Sequence, residues 1–164
     1  MSRQGALEDE RGFTLVELTI VILLMGIVSA IASSMWFGAI ESRKVDSATN
    51  QVAADLRLAH SQATNRLADS FFVTPAGTVP VGVDPLATYD IGPTGTLAFD
   101  KLPEGTKISV ATNIKFKSDV TAEVVSGPPP VGGIITITVR SSEDPNNNHT
   151  IQINTTTSRI QVVP

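Results

Sequence analysis

Residues Leu18 to Ile40 form a run of 23 residues without a single charge, and the residue just before the run is an acid, Glu17. At 1.5 Å rise per residue such a run is about 35 Å long as a helix, enough to cross the hydrocarbon core of a bilayer. An ionisable side chain costs roughly 2.5–3.5 kcal/mol at the centre of a membrane and less near its edge, so it needs a partner. The run holds no base. The partner of Glu17 must therefore come from outside this helix.

The acid sits in the stretch Gly12-Phe13-Thr14-Leu15-Val16-Glu17. This stretch, joined to an uncharged helix-length run near the start of the chain, resembles the N-terminus of type IV prepilins and type II secretion pseudopilins. The resemblance implies a hydrophilic leader, residues 1–12, removed by a prepilin peptidase that cuts between Gly12 and Phe13. It implies methylation of Phe13 as the new N-terminus. It also implies that Glu17 faces the Phe13 amino group of a neighbouring subunit during assembly. The physics fits, because an α-amino group with a pKa of roughly 8 is largely cationic at neutral pH. In low dielectric the two charges offset each other's desolvation.

Two other readings stay open at this stage. One is an ordinary single-pass anchor. The other is a secretory signal peptide cut at the small residues Ala30-Ile31-Ala32, releasing a soluble domain that starts at Ser33. Against it, the segment before the apolar core carries Glu8, Asp9, Glu10 and Glu17 against Arg3 and Arg11, whereas a secretory n-region is positive. The positive-inside rule does not orient the span, with Arg3 and Arg11 on one side and Arg43 and Lys44 on the other. The resemblance implies an inner-membrane protein with a cytoplasmic leader and its C-terminal domain in the periplasm, later carried into a pseudopilus.

Residues 13–40 are expected to form a transmembrane and filament-core helix. Gly26, Ala30 and Ser34 are four apart and share a face, with Ser29 and Ser33 alongside; small residues at this spacing allow close helix approach, and are also common in membrane helices generally. Trp36 falls where an interfacial aromatic is expected. Many relatives carry a proline along this segment; this chain has none between Phe13 and Ile40.

Residues 41–68 continue the helix as an amphipathic one. Val45, Ala48, Val52, Leu56, Ala59, Ala63 and Leu67 recur at gaps of three and four, a single apolar stripe, while Asp46, Asn50, Arg57, Ser61 and Thr64 lie away from it. The segment Ala54 to Ala63 is similar to one in the H-type minor pseudopilins, the GspH/FimT family, with His60 where arginine is usual. The stretch Ile114 to Asp119 and the C-terminal hairpin also look like that family.

From Phe71 the period changes to alternation, punctuated by glycine and proline. Strands are expected at 71–74, 88–91, 96–99 and 107–111, and more clearly at 134–140, 150–154 and 160–162. Pro128-Pro129-Pro130 reads as a stiff connector. The expected fold is α+β: a long N-terminal helix packed on a C-terminal antiparallel β-sheet, with residues 41–164 as the periplasmic globular domain.

The composition narrows function. A formal charge of −4, with 12 basic and 16 acidic residues, gives no drive toward nucleic acid. Removing residues 1–12 takes away two basic and three acidic residues, leaving −3. Arg159 has no basic neighbour and cannot neutralise several phosphates. The absence of cysteine excludes disulfides and thiolate sites. His60 reads as a helix-surface or edge residue and His149 as a solvated one after a turn. Glu143, Asp144 and Asn146-Asn147-Asn148 offer oxygens for Ca²⁺, but Asp144-Pro145-Asn146-Asn147 reads first as a hairpin turn. Asn148-His149-Thr150 matches a glycosylation sequon, a short pattern of little weight. No nucleophile motif, phosphate loop or metal-spaced cluster stands out, so neither a catalytic residue nor a cofactor is expected.

The resemblance thus implies a structural minor pseudopilin of a type II secretion system. Its partners would be the prepilin peptidase, other pseudopilins, the inner-membrane assembly platform and membrane lipid. A minor pilin of a type IV pilus is the alternative. Retention of Glu17 speaks against the extreme-tip subunit type, which tends to lack that acid.

Overall fold

The structure is a computed structural model that describes residues 13–93 and 95–163, with the side chains of residues 34, 35 and 37 left aside. The leader and Gly12 lie outside the described residues. The chain divides into two compact units, Met1–Ala39 and Ile40–Pro164. One helix, α1 (Leu15–Arg66, 52 residues), contributes to both.

In the first unit α1 is apolar and exposed along its length, from Leu15 to Ile31. It is the one described helix long and apolar enough to cross a membrane. Two of its hydroxyls bond back to the helix: Thr19 donates to the Val16 carbonyl at 2.8 Å and Ser33 to the Ser29 carbonyl at 2.7 Å. Such back-bonding settles these two hydroxyls on an otherwise apolar surface.

In the second unit the expected stripe is buried. Val45, Ala48, Val52, Leu56, Ala59 and Ala63 are fully covered, and Thr49 and Ala53 join them. The stripe is thus wider than its heptad-like spacing suggests, because two sheets cover it. Leu67 departs from the expectation. The helix ends at Arg66, and Leu67 adopts a left-handed φ of 51° and is exposed. A residue in that conformation ends a helix and turns the chain, here toward the first strand.

The strands are β1 (Ser70–Val73), β2 (Thr88–Pro93), β3 (Ala98–Lys101), β4 (Thr106–Ile108), β5 (Asn113–Phe116), β6 (Ala122–Ser126), β7 (Ile134–Ser141), β8 (Asn148–Asn154) and β9 (Ile160–Val163). A short 3₁₀ turn, Pro85–Ala87, is capped by the Asp84 side chain. The first sheet has the order β3-β2-β1-β5-β6 and the second β4-β7-β8-β9, with antiparallel pairing throughout. The expected single sheet is two. Strand β3 lies two residues later than expected, and β5 and β6 were not expected as strands. Their alternation is short: in β6 only Ala122 is buried, and Val124 packs partly against the core.

Inward residues of both sheets meet on the helix. Phe72, Tyr89, Ile114 and Phe116 come from the first, and Ile135, Ile137, Val139, Ile151 and Ile153 from the second. Burying one such side chain contributes about 1.5–3 kcal/mol. All members of this core lie between Ala48 and Ile160. The second unit therefore carries a complete core of its own. A fragment of residues 41–164 is expected to unfold cooperatively without the apolar run, as followed by circular dichroism in denaturant. Leu56→Ala in that fragment should cost about 2–5 kcal/mol, because it opens a cavity where helix and sheets meet.

Candidate functional site

The N-terminal end of α1 holds the expected assembly residues. Phe13 is 90% exposed, and Glu17 is exposed as well. Within its own chain Glu17 completes a capping box. The Thr14 backbone N–H and hydroxyl both donate to Glu17 Oε2 at 3.1 Å, and the Glu17 N–H donates to Thr14 Oγ1 at 3.2 Å. This Thr-x-x-Glu arrangement satisfies two orphan donors of the first turn reciprocally. The acid also suits the positive end of the helix dipole. In the sequence Glu17 stands out only as a charge awaiting a partner; the box went unnoticed there, although the spacing of Thr14 and Glu17 displays it.

Further along the unit, Ser29, Ala32, Ser33 and Trp36 line a shallow groove, and Trp36 is 70% exposed. A Cβ added at Gly26 would meet nothing within 4 Å. The face carrying Gly26 and Ala30 is therefore open; the Ser34 side chain lies outside the described residues.

In the second unit polar side chains tie α1 to both sheets. Tyr89, buried on β2 with its ring 5.1 Å from that of Phe72, donates its hydroxyl to Asp55 Oδ2 at 2.5 Å. Gln51 Nε2 reaches Tyr89 Oη at 3.1 Å, Asp100 Oδ1 at 3.3 Å and the Lys101 carbonyl at 3.2 Å. Burial pushes the Asp55 carboxyl above its usual 3.8; the Tyr89 hydroxyl pulls the other way, and the neighbouring Asp100 charge adds to the rise. Burial, then Asp55, raises the Tyr89 phenol far above its ordinary value. On the second sheet the Ser141 hydroxyl donates to Glu41. Sequence reasoning had no signal for these pairs, whose partners lie 34 to 100 residues apart.

One histidine differs from expectation. His149 is not a solvated residue after a turn: it lies in β8, and its Nε2 sits 2.8 Å from Asp46 Oδ1 on α1. His60 is half-buried, edge-on to Phe116 with ring centroids 6.1 Å apart. The alternation of β8 turns His149 toward the helix, and the wide covered face of α1 takes in His60. The Glu143–Asn148 loop is a hairpin turn. Ser141 Oγ accepts from the Glu143 and Asp144 N–H groups at 3.0 and 3.2 Å, and Asp144 Oδ1 accepts from the Asn146 N–H at 2.9 Å. No group of three or more His, Asp or Glu side chains able to hold a metal occurs among the described residues. Arg159 stands beside Gln161, whose side-chain oxygen accepts from Nε at 3.1 Å and Nη2 at 3.0 Å.

Comparison with known proteins bears on both units. Residues 9–33 match the profile of the prokaryotic N-terminal methylation motif. Two crystal forms of the type IV minor pilin FimU of Pseudomonas aeruginosa share the fold. The first is 18% identical with a TM-score of 0.51, covering 73% of this chain and 92% of FimU. The second is 17% identical with a TM-score of 0.53, covering 74% and 90%. No curated protein matches the sequence. The chain thus carries the N-terminal methylation motif at its start and a pilin-like fold, one long helix packed against antiparallel sheets.

Three outcomes test this account. Thr14→Ala removes the box and should lower helix content at the start of α1 in detergent, at a cost of about 0.5–2 kcal/mol. The Asp55 network predicts a pH dependence. Its folded value is raised, so its contribution is fully present below the unfolded value and is lost as pH rises through the folded one. Relative to Asp55→Asn, the wild-type 41–164 fragment should therefore lose stability as pH rises above 4 in denaturant titrations, roughly 4 being the ordinary carboxylate range. Tyr89→Phe should cost about 1 kcal/mol by removing the hydroxyl donor.

Proposed function

We propose that the chain is a non-enzymatic subunit of a pilin-like filament. It is made as an inner-membrane precursor, cut by prepilin peptidase between Gly12 and Phe13, and methylated at Phe13. Residues 13–40 hold it in the membrane and then in the filament core, while residues 41–164 form its periplasmic head. The observation that carries this reading is the methylation motif over residues 9–33 running directly into an exposed, uncharged helix. That helix offers lipid or sister helices a long, largely apolar surface.

Glu17 is the assembly residue in this reading. Its carboxylate carries one charge, and the capping box answers it only with neutral donors from Thr14. A methylated, cationic Phe13 amine from a neighbouring subunit would supply the opposite charge in a medium where an unpaired carboxylate is costly.

Filament and machine are separate matters. A minor pseudopilin in a type II secretion pseudopilus follows from the similarity to the GspH/FimT family. A minor pilin of a type IV pilus is favoured by the likeness to FimU, which is itself a type IV minor pilin. Deleting the chain distinguishes them: loss of protein secretion with intact surface pili supports the first, and loss of surface pili supports the second.

The deciding measurement is the intact mass and N-terminal sequence of the membrane-extracted protein, with and without the prepilin peptidase. The expected product starts at methylated Phe13, and the longer precursor accumulates without the peptidase. A start at Ser33, or an uncut chain in normal cells, would overturn the filament reading. Glu17→Ala should leave processing intact and abolish incorporation into filaments.

A further inference from the structure

Strands β4 and β7 bring two cations face to face. In their register Lys107 stands directly opposite Arg140. Both lie on the outer face of the second sheet, because their neighbours Thr106, Ile108, Val139 and Ser141 are the buried residues of the alternation. Directly opposed residues have Cβ atoms roughly 4.5–5.5 Å apart, and like charges so placed destabilise a sheet. Compensation from within the chain is slight. Asp84 lies 3.8 Å from the Lys107 ammonium with a half-exposed side chain, and such a pair contributes little. Arg140 has less still: among the described residues no ion pair or hydrogen bond engages its guanidinium, and its Nε is covered without a partner.

A guanidinium with a packed neck and free Nη groups is held in place and short of acceptors. With an ammonium beside it, it forms the arrangement that takes an oxyanion, the fork of the arginine supplying paired donors and the lysine a point charge. One such group between the two side chains would offset their repulsion and supply the missing acceptors at once.

The place of the pair in the fold selects the source of that oxyanion. Glu41 is the first charged residue after the uncharged run, and it belongs to the second unit. The Ser141 hydroxyl donates to it. Further along α1, Asp46 meets His149, the cross-strand partner of Val139. β7 therefore runs along α1 toward Glu41, and Arg140 is the residue before its last. β4 begins at the same end. There the Ser142 N–H donates to the Gly105 carbonyl, and the Lys44 ammonium lies 3.9 Å from the position a Cβ on Gly105 would take. A bilayer that holds the run up to Ile40 has its headgroups at Glu41, and so beside Lys107 and Arg140. Acids stand near the pair as well: Asp84 in space, Glu104, Glu143 and Asp144 close by in the chain. A net-negative lipid meets repulsion there, whereas a headgroup with its own ammonium beside the phosphate suits the mixture.

We propose that Lys107 and Arg140 bind the phosphate of a zwitterionic phospholipid headgroup and so hold the second unit against the membrane surface. Arg140 donates to phosphate oxygens through its Nη groups, and the Lys107 ammonium adds its charge from the neighbouring strand. The proposal rests on the reading of residues 13–40 as a membrane span.

Two measurements on the full chain test it. In a maltoside detergent, which carries no phosphate, the chain is titrated with dihexanoyl phosphatidylcholine below its micelle-forming concentration. The NMR signals of Lys107 and Arg140 should shift to saturation. Lys107→Gln or Arg140→Gln should weaken binding roughly tenfold or more, through loss of a charged hydrogen-bond donor. Each variant removes one of two opposed like charges, so its melting temperature should be unchanged or raised. The absence of a shift overturns the proposal. So does equally tight binding of inorganic phosphate, or of the anionic phosphatidylglycerol analogue. In phosphatidylcholine nanodiscs with a spin-labelled headgroup, the Lys107 and Arg140 amides should broaden, while those of Ile134 and Thr136, toward the other end of β7, stay sharp. A chain retained in the discs without that broadening overturns the proposal alone; a chain not retained overturns the membrane reading with it. Loss of filament incorporation in Arg140→Gln with lipid binding unchanged would assign the pair to a neighbouring subunit's carboxylate instead, and so overturn it. If a variant does not fold, the titration and broadening of the wild-type chain decide.

Discussion

The structure of the second unit depends on burial of one helical face, Val45 to Ala63, beneath two sheets. Neither sheet has a sufficient core without it. A helix covered from two sides needs a stripe broader than two positions per turn, which is why Thr49 and Ala53 are buried beside the expected residues. The small side chains of Ala48, Ala53, Ala59 and Ala63 let the sheets approach, and Phe72, Tyr89, Phe116 and the isoleucines of β7 and β8 fill the space between. Thr49 is tolerated there because its hydroxyl bonds back to the Val45 carbonyl at 2.7 Å.

Around this apolar contact, polar pairs fix the position of the helix along the sheets. Dispersion and hydrophobic burial are weakly directional, whereas hydrogen bonds are not. Gln51 and Asp55 reach Tyr89, Asp100 and the Lys101 carbonyl on one sheet; Glu41 and Asp46 reach Ser141 and His149 on the other. Together they specify register where packing alone would leave latitude.

The first unit follows a different rule. Its helix has no core to pack against, and its surface is apolar outward. Polar groups there are settled locally, Thr19 and Ser33 by bonding back to the helix and Thr14 and Glu17 by closing the first turn. Glu17 is thus stable in a lone chain yet keeps a charge that neutral donors do not cancel. In the proposed assembly that residual charge is what a neighbour's amine recognises.

Much was legible in the sequence because it was local. The motif from Gly12 to Glu17, the uncharged run after it, and the stripe from Val45 to Ala63 each repeat at a spacing that helix geometry imposes on any chain carrying them. The strong alternation of Ile135, Ile137, Val139, Ile151 and Ile153 likewise announces β7 and β8. The division into two sheets, strands β5 and β6, the end of the helix at Leu67, and the pairings of Asp55 with Tyr89 and Asp46 with His149 were decided by tertiary structure alone. These depend on contacts between residues far apart in the chain, whose energies no local pattern encodes.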